Sequence, residues 1–154
     1  MSTIDSYLQV KGSISADFQQ SLTANDAVDL LKSGNERFMT KKPAKREREA
    51  LLEGAAQGQA PYAAVLGCID SRAPIEEVFD ASIGDLFVAR VAGNTVNEDI
   101  LGSLEYACKY AGSKAILVLG HTQCGAVKGT YSELKDGNLT VLLQRIEPAV
   151  SGIR

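Results

Sequence analysis

Three short apolar runs separated by helix-like stretches most strongly constrain how this chain of 154 residues can fold. The runs are residues 62–68, 85–91 and 115–120, each bounded by turn-forming residues. Short continuous apolar runs are typical of strands buried on both faces of a sheet. Helical spacing of apolar residues lies between them, near residues 74–79 and 97–110. This alternation predicts an α/β fold with a parallel sheet flanked by helices.

The N-terminal part divides into two regions. Residues 1–22 show no clear period, which predicts a loosely attached arm, and residues 23–154 form the predicted α/β domain. Thr23 followed by Asp26 predicts a capped amphipathic helix that continues through Met39. A second helix is predicted to begin near Pro43.

Composition excludes several classes of protein. The net charge of -3 gives no basic surface for nucleic acid, and the Lys/Arg-rich segment 41–48 is interleaved with glutamate as on a solvated helix. The chain shows no export signal and no apolar segment long enough to span a membrane, which predicts a cytoplasmic protein without membrane contact. The odd number of cysteines, three, favours metal binding or catalysis over disulfides.

Two cysteines and the only histidine lie where predicted strands end. Cys68 ends the first strand, and His121 and Cys124 follow the third. Ligands of open α/β sheets bind beyond the carboxyl ends of the strands, so these three side chains are expected to meet there. Two thiolates and one imidazole suit one Zn²⁺ per chain, and three protein ligands leave the fourth position open, as in catalytic sites.

Each of these residues also has a purely structural interpretation. Cys68 and Cys124 would then be small buried hydrophobic residues, and His121 a hydrogen-bonded loop residue. The shared placement at strand ends favours the metal site. Cys108 lies on the apolar face of a predicted helix and is assigned to the core.

Asp70 and Arg72 follow Cys68 at alternate positions. If the backbone stays extended, Asp70 points to the same side as Cys68 and lies beside the metal. Its carboxylate can accept a hydrogen bond from zinc-bound water, or it can bind zinc itself and close the site. Arg72 can hold the carboxylate through its planar guanidinium. The alternative is an ordinary surface ion pair.

The sequence resembles the β-class carbonic anhydrases. It contains their two signatures, Cys-x-Asp-Ser-Arg at residues 68–72 and Gly-His-x-x-Cys-Gly at residues 120–125, and the likeness extends over roughly residues 24–130. The resemblance implies reversible hydration of carbon dioxide to bicarbonate and a proton through zinc-bound hydroxide, with Asp70 and Arg72 as catalytic residues. It further implies a small apolar substrate pocket at the interface of a homodimer or higher homo-oligomer. The substrate-binding positions it implies are Gln59, Phe87, Ala92, Tyr106 and Gly125.

Other family features match in part. Some members are controlled by bicarbonate bound near a valine, a glutamate and an arginine, which correspond here to Ala73, Glu76 and Arg90. Ala73 and Ala92 both stand where valine is common in the family. Family chains normally continue beyond the point where this sequence stops, so the C-terminal part of the family fold is expected to be absent. Either a shortened chain or strong dependence on oligomerisation follows as an expectation.

Two alternative functions remain open at this point. The same fold hosts hydrolysis of carbonyl sulfide or carbon disulfide, which would keep the metal and change the substrate. A non-catalytic module that binds zinc or senses bicarbonate would keep the metal and lack turnover.

Overall fold

The computed structural model describes residues 2–153. Within this range four helices precede the first strand: α1 Thr3–Leu8, α2 Ala16–Ser21, α3 Ala24–Met39 and α4 Arg48–Gln57. The alternating part follows as β1 Ala63–Gly67, α5 Ile75–Val78, β2 Leu86–Arg90, α6 Glu98–Lys109 and β3 Ala115–Leu119. Helices α7 Gly125–Tyr131, α8 Gly137–Gln144 and α9 Glu147–Val150 come last, with 3₁₀ turns at Ala92–Asn94 and Ser151–Ile153. No helix within residues 2–153 is long and apolar enough to cross a membrane.

In the described part of the chain the sheet is parallel and has three strands in the order β2-β1-β3, which confirms the predicted fold class. At the carboxyl edge Gly67 pairs with Arg90 on one side and Leu119 on the other. Strand β1 is buried on both faces, because α6 covers Ala64 while Ala63 and Val65 face α3, α5 and the N-terminal helices. The central strand therefore ends in the interior, and the residues after it emerge between the two neighbouring strands.

Strand β3 is an edge strand with an uncovered apolar face. Leu117 packs on the main core, whereas Ile116 and Val118 on the opposite face are 48% and 57% exposed. Alternate residues of a strand point to opposite faces, so one face of β3 is covered and the other is open. This is the apolar surface expected of an open three-stranded sheet.

The N-terminal segment corrects the expectation of a loosely attached arm. Tyr7, Ile14 and Leu22 are all buried and belong to the main hydrophobic core. The buried amide of Gln19 donates to the carbonyl oxygens of Pro61 and Ala111 at 2.7 and 2.8 Å, and thereby ties α2 to the loops before β1 and after α6. Helices α1 and α2 are each six residues long, which is too short to show a helical period in the sequence.

Two smaller expectations also need correction. The second helix begins at Arg48 rather than near Pro43, because Asp80 and Tyr7 hold the preceding segment: Ala44 N–H donates to the Asp80 carboxylate, and Arg46 donates to the Tyr7 hydroxyl. Cys108 is only half-buried on α6, so it lies at the margin of the core. The capped helix at Thr23 is confirmed, since Thr23 and Asp26 form a reciprocal capping box at the start of α3.

Candidate metal centre

Cys68, His121 and Cys124 converge at the carboxyl edge of the sheet, as the sequence predicts. Their ligand atoms all lie within 4.8 Å of one another, and the two sulfur atoms are 3.9 Å apart. Two thiolates about 2.3 Å from a tetrahedral zinc would be separated by about 3.8 Å, so the observed spacing fits that ion. All three cysteines are free thiols, and Cys68 and Cys124 are buried.

The orientation of His121 favours a metal ligand. Its Nδ1–H donates to the Thr122 carbonyl oxygen at 2.9 Å, which leaves the lone pair of the neutral ring on Nε2. Nε2 is buried and has no hydrogen-bond partner within residues 2–153. A buried polar nitrogen without a partner is costly, and coordination of a metal by this atom would satisfy it. These residues therefore fit zinc.

The electrostatics around Cys68 favour the thiolate that a metal requires. Burial by itself raises the pKa of this thiol, but the His121 imidazole and the backbone N–H groups of Gly93 and Asp70 favour the thiolate more strongly, so the pKa falls to about 7. The Gly93 N–H lies 3.3 Å from the sulfur. The Cys68 sulfur in turn raises the pKa of His121, with smaller contributions in the same direction from Thr122 and Asp70.

Gly93, whose N–H helps to lower the pKa of Cys68, is not among the site residues predicted from the sequence. It lies in the 3₁₀ turn directly after β2 with φ of 68°, a conformation that favours glycine. A Cβ at this position would lie 2.5 Å from the Ile146 side chain. The signal available in the sequence was a Gly-Asn pair just after a predicted strand, at the same edge of the sheet as Cys68.

Asp70 is held by Arg72 and is not one of the clustered ligands. Arg72 Nε and one terminal nitrogen donate to the two Asp70 carboxylate oxygens at 2.9 and 2.6 Å, and the Arg72 backbone N–H adds a third bond at 3.0 Å. These hydrogen bonds hold the pKa of Asp70 well below its usual range. One carboxylate oxygen lies 3.8 Å from His121 Nδ1. An ionised acceptor is thus fixed beside the three candidate ligands and is not itself part of the cluster.

The predicted substrate residues are dispersed. Phe87 and Tyr106 make an edge-to-face ring contact with centroids 6.2 Å apart, beside a cavity of about 700 Å³ between β2 and α6. None of the three ligands lines this cavity. Gln59 is exposed before β1, at the opposite edge of the sheet, while Ala92 and Gly125 flank the centre in the turn after β2 and at the start of α7.

The residues predicted for bicarbonate regulation are likewise not gathered into one site. Glu76 is exposed on the short helix α5, and Ala73 lies just before that helix. Arg90 donates to backbone carbonyl oxygens at the metal centre, and within residues 2–153 it makes no ion pair with Glu76. The regulatory site stays a prediction.

Comparison with known proteins decides the family. A sequence profile described as carbonic anhydrase matches residues 63–154, which include all three clustered ligands and the Asp70–Arg72 pair. This chain belongs to the carbonic anhydrase family. Carbonic anhydrase 2 of Mycobacterium tuberculosis is 40% identical over 126 residues, which cover 78% of this chain and 61% of that protein. The chain thus spans about three fifths of the length of this curated relative.

Solved structures place the fold in the β class of the family. A β-carbonic anhydrase of Aspergillus fumigatus superposes with a TM-score of 0.64 at 26% identity, covering 81% of this chain and 61% of that chain. A tetrameric β-carbonic anhydrase of Sordaria macrospora has a TM-score of 0.61 at 28% identity, with 90% and 66% covered. The resemblance inferred from the two signatures is thereby confirmed.

Proposed function

We propose that this chain catalyses the reversible hydration of carbon dioxide to bicarbonate and a proton, with one zinc ion held by Cys68, His121 and Cys124. The observation that carries the proposal is the three-ligand cluster with an ionised carboxylate fixed beside it. A closed structural site would place four protein ligands around the metal, whereas this arrangement leaves one position for water or substrate.

The residues of the chain divide the work between them. Zinc, when bound, supplies a Lewis acid that makes water nucleophilic near neutral pH. Asp70, ionised because Arg72 donates to both of its oxygens, accepts a hydrogen bond from the attacking water and orients it. The same bonds engage both oxygens of Asp70, and with zinc bound they would keep this carboxylate out of the ligand set, which would leave the fourth position to water or substrate.

A second copy of the chain is proposed to complete the substrate pocket. Phe87 and Tyr106 border an apolar cavity that the metal ligands do not reach, and Gln59 lies at the opposite edge of the sheet. Residues so placed can serve one pocket only if protomers associate. The exposed face of β3 and the tetrameric assembly of the Sordaria macrospora relative support an oligomer. The cytoplasmic location stays a prediction from the sequence.

Stopped-flow hydration of carbon dioxide by the zinc-loaded chain, from mildly acidic to alkaline pH, tests the function. We expect metal-dependent turnover that Asp70→Asn lowers by about 10²–10⁴-fold, the usual contribution of a positioned proton acceptor, while zinc remains bound. Zinc binding without turnover at any pH would contradict the proposal and favour a sensing module. Turnover of carbon disulfide in place of carbon dioxide would keep the site and change the substrate.

A further inference from the structure

The side chain of Arg90 reaches from the end of β2 across the loop that carries Cys68 and Asp70. Its Nε–H donates to the Cys68 carbonyl oxygen at 2.8 Å, and one terminal nitrogen donates to the Asp70 carbonyl oxygen at 2.6 Å. Arg90 pairs in register with Gly67, the last residue of β1, and the carbonyl oxygen of Gly67 accepts the N–H of Val91 at 3.1 Å. The parallel ladder ends at this point.

The loop after Gly67 lies beyond the end of β1, so hydrogen bonds of the sheet no longer hold its backbone and other contacts must do so. The Cys68 and Asp70 carbonyl oxygens are two residues apart, so an extended backbone turns them to the same side. The planar guanidinium can donate to both at once in a fixed geometry, which a flexible ammonium group cannot reproduce. The Asp70 carbonyl oxygen also accepts the N–H of Ala73 at 3.1 Å, which closes the turn that follows.

Fixing these two peptide groups fixes two side chains of the metal centre. Cys68 supplies a ligand, and Asp70 supplies the carboxylate that Arg72 holds. Rotation of either peptide group would move the Cys68 sulfur from the Gly93 N–H, which lies 3.3 Å away, and would move the Asp70 carboxylate relative to His121. Groups that orient ligands from outside typically contribute 10–100-fold to metal affinity or activity.

We propose that Arg90 is a positioning residue for the metal centre, which acts by holding the backbone of Cys68 and Asp70 in the geometry that binds zinc. This inference rests on the zinc site of the proposed function. It gives Arg90 a different role from that of an anion ligand, since two of its donor groups are already engaged by the chain's own carbonyl oxygens.

Metal binding by Arg90→Met and Arg90→Lys tests the proposal without any substrate. Zinc affinity is measured by competition with a chelator, and the absorption spectrum of the cobalt(II)-loaded chain reports the thiolate ligands and their geometry. We expect Arg90→Met to bind zinc about 10–100-fold more weakly and to show an altered cobalt spectrum. Arg90→Lys keeps the charge without the planar group, and we expect it to remain weaker than the native chain.

Arg46→Met is the matched control. Arg46 also donates to groups of the chain itself, namely the Tyr7 hydroxyl and the Asp80 carbonyl oxygen, but in the network around the buried Asp85 rather than at the metal. Arg46→Met should lower the free energy of unfolding and leave zinc affinity and the cobalt spectrum unchanged. Native zinc affinity with a native cobalt spectrum in Arg90→Met would overturn the proposal.

If Arg90→Met does not fold, Arg90→Lys decides by the same measurements, and native metal binding in that variant overturns the proposal. Failure of the proposed enzyme activity is a separate result. If the native chain binds zinc but does not hydrate carbon dioxide, the comparison of zinc affinities between the native chain and the Arg90 variants remains valid. A native chain that binds no zinc would remove the foundation of both.

Discussion

At the scale of single residues, the metal centre assigns different roles to chemically identical cysteines. Cys68 lies with His121 and Cys124 in the ligand cluster, whereas Cys108 is half-buried on α6 and is not part of it. We predict that Cys68→Ser loses more zinc affinity than the 10–100-fold typical of an outer-shell partner, while Cys108→Ser keeps native affinity. Chelator competition measures both, and equal affinities would contradict the assignment.

The protonation of the ligands gives zinc binding a pH dependence with a definite sign. A metal at this centre would bind the Cys68 thiolate and the neutral His121 imidazole, so protons would compete with it. In the metal-free chain the pKa of Cys68 is lowered to about 7 and that of His121 is raised. Zinc affinity should therefore fall as pH falls through about 7. A chelator titration at several pH values, with proton release followed at each, checks this, and a pH-independent affinity would refute it.

At the scale of elements, the position of α3 depends on one glycine. A Cβ on Gly34 would lie 1.8 Å from the Phe79 carbonyl oxygen at the end of α5, and this backbone atom cannot move aside cheaply. We predict that Gly34→Ala destabilises the fold by at least the 1–3 kcal/mol that is typical of overpacking. Urea unfolding measures the change.

Gly102→Ala supplies the matched control within α6. Apart from its chain neighbours and the backbone of its own helix, no atom of residues 2–153 lies within 4 Å of a Cβ there, and the position is inside a regular helix. The same substitution should then stabilise by roughly 0.5–1 kcal/mol, because alanine loses less backbone freedom on folding than glycine. A destabilisation of equal size at both glycines would mean that close contact is not the cause.

At the scale of the whole molecule, a buried hydrogen bond fastens the N-terminal helices to the sheet. The Tyr7 hydroxyl donates to the Asp85 carboxylate at 2.6 Å, and each of the two residues is 2% exposed. The two residues are 78 positions apart, so this contact joins helix α1 to the residue that directly precedes β2. Tyr7→Phe should cost about 1–3 kcal/mol in the free energy of unfolding, because it removes a donor from a buried carboxylate.

The cost of Tyr7→Phe should depend on pH in a direction that can be worked out. Burial raises the pKa of Asp85, so the folded chain favours the protonated carboxyl, and the charged form is a cost above that pKa. The Tyr7 hydroxyl stabilises the charged form of Asp85. The loss in the free energy of unfolding caused by Tyr7→Phe should therefore be largest at neutral pH and become smaller as acid protonates Asp85. Tyr110→Phe, at a residue 73% exposed, should be nearly neutral at both pH values. A loss that does not change with pH would contradict this account.

The sequence by itself determined the sheet and the residues of the candidate metal site. Apolar runs mark β1, β2 and β3 because buried parallel strands are apolar on both faces, and chain order places Cys68, His121 and Cys124 at the ends of strands. Strand ends at one edge of a sheet lie close together whatever the details of packing, so local pattern was enough to bring these ligands together.

Only the tertiary structure decided the contacts between groups that lie far apart in the sequence. The N-terminal helices are too short to show a period, and their attachment depends on partners such as Asp85 and Pro61 that sequence spacing does not reveal. Arg90 and Gly93 likewise reach the Cys68 loop from the end of β2 and the turn after it. Their partners are backbone groups, which every residue carries, so no residue pattern identifies the contact before the fold places the groups together.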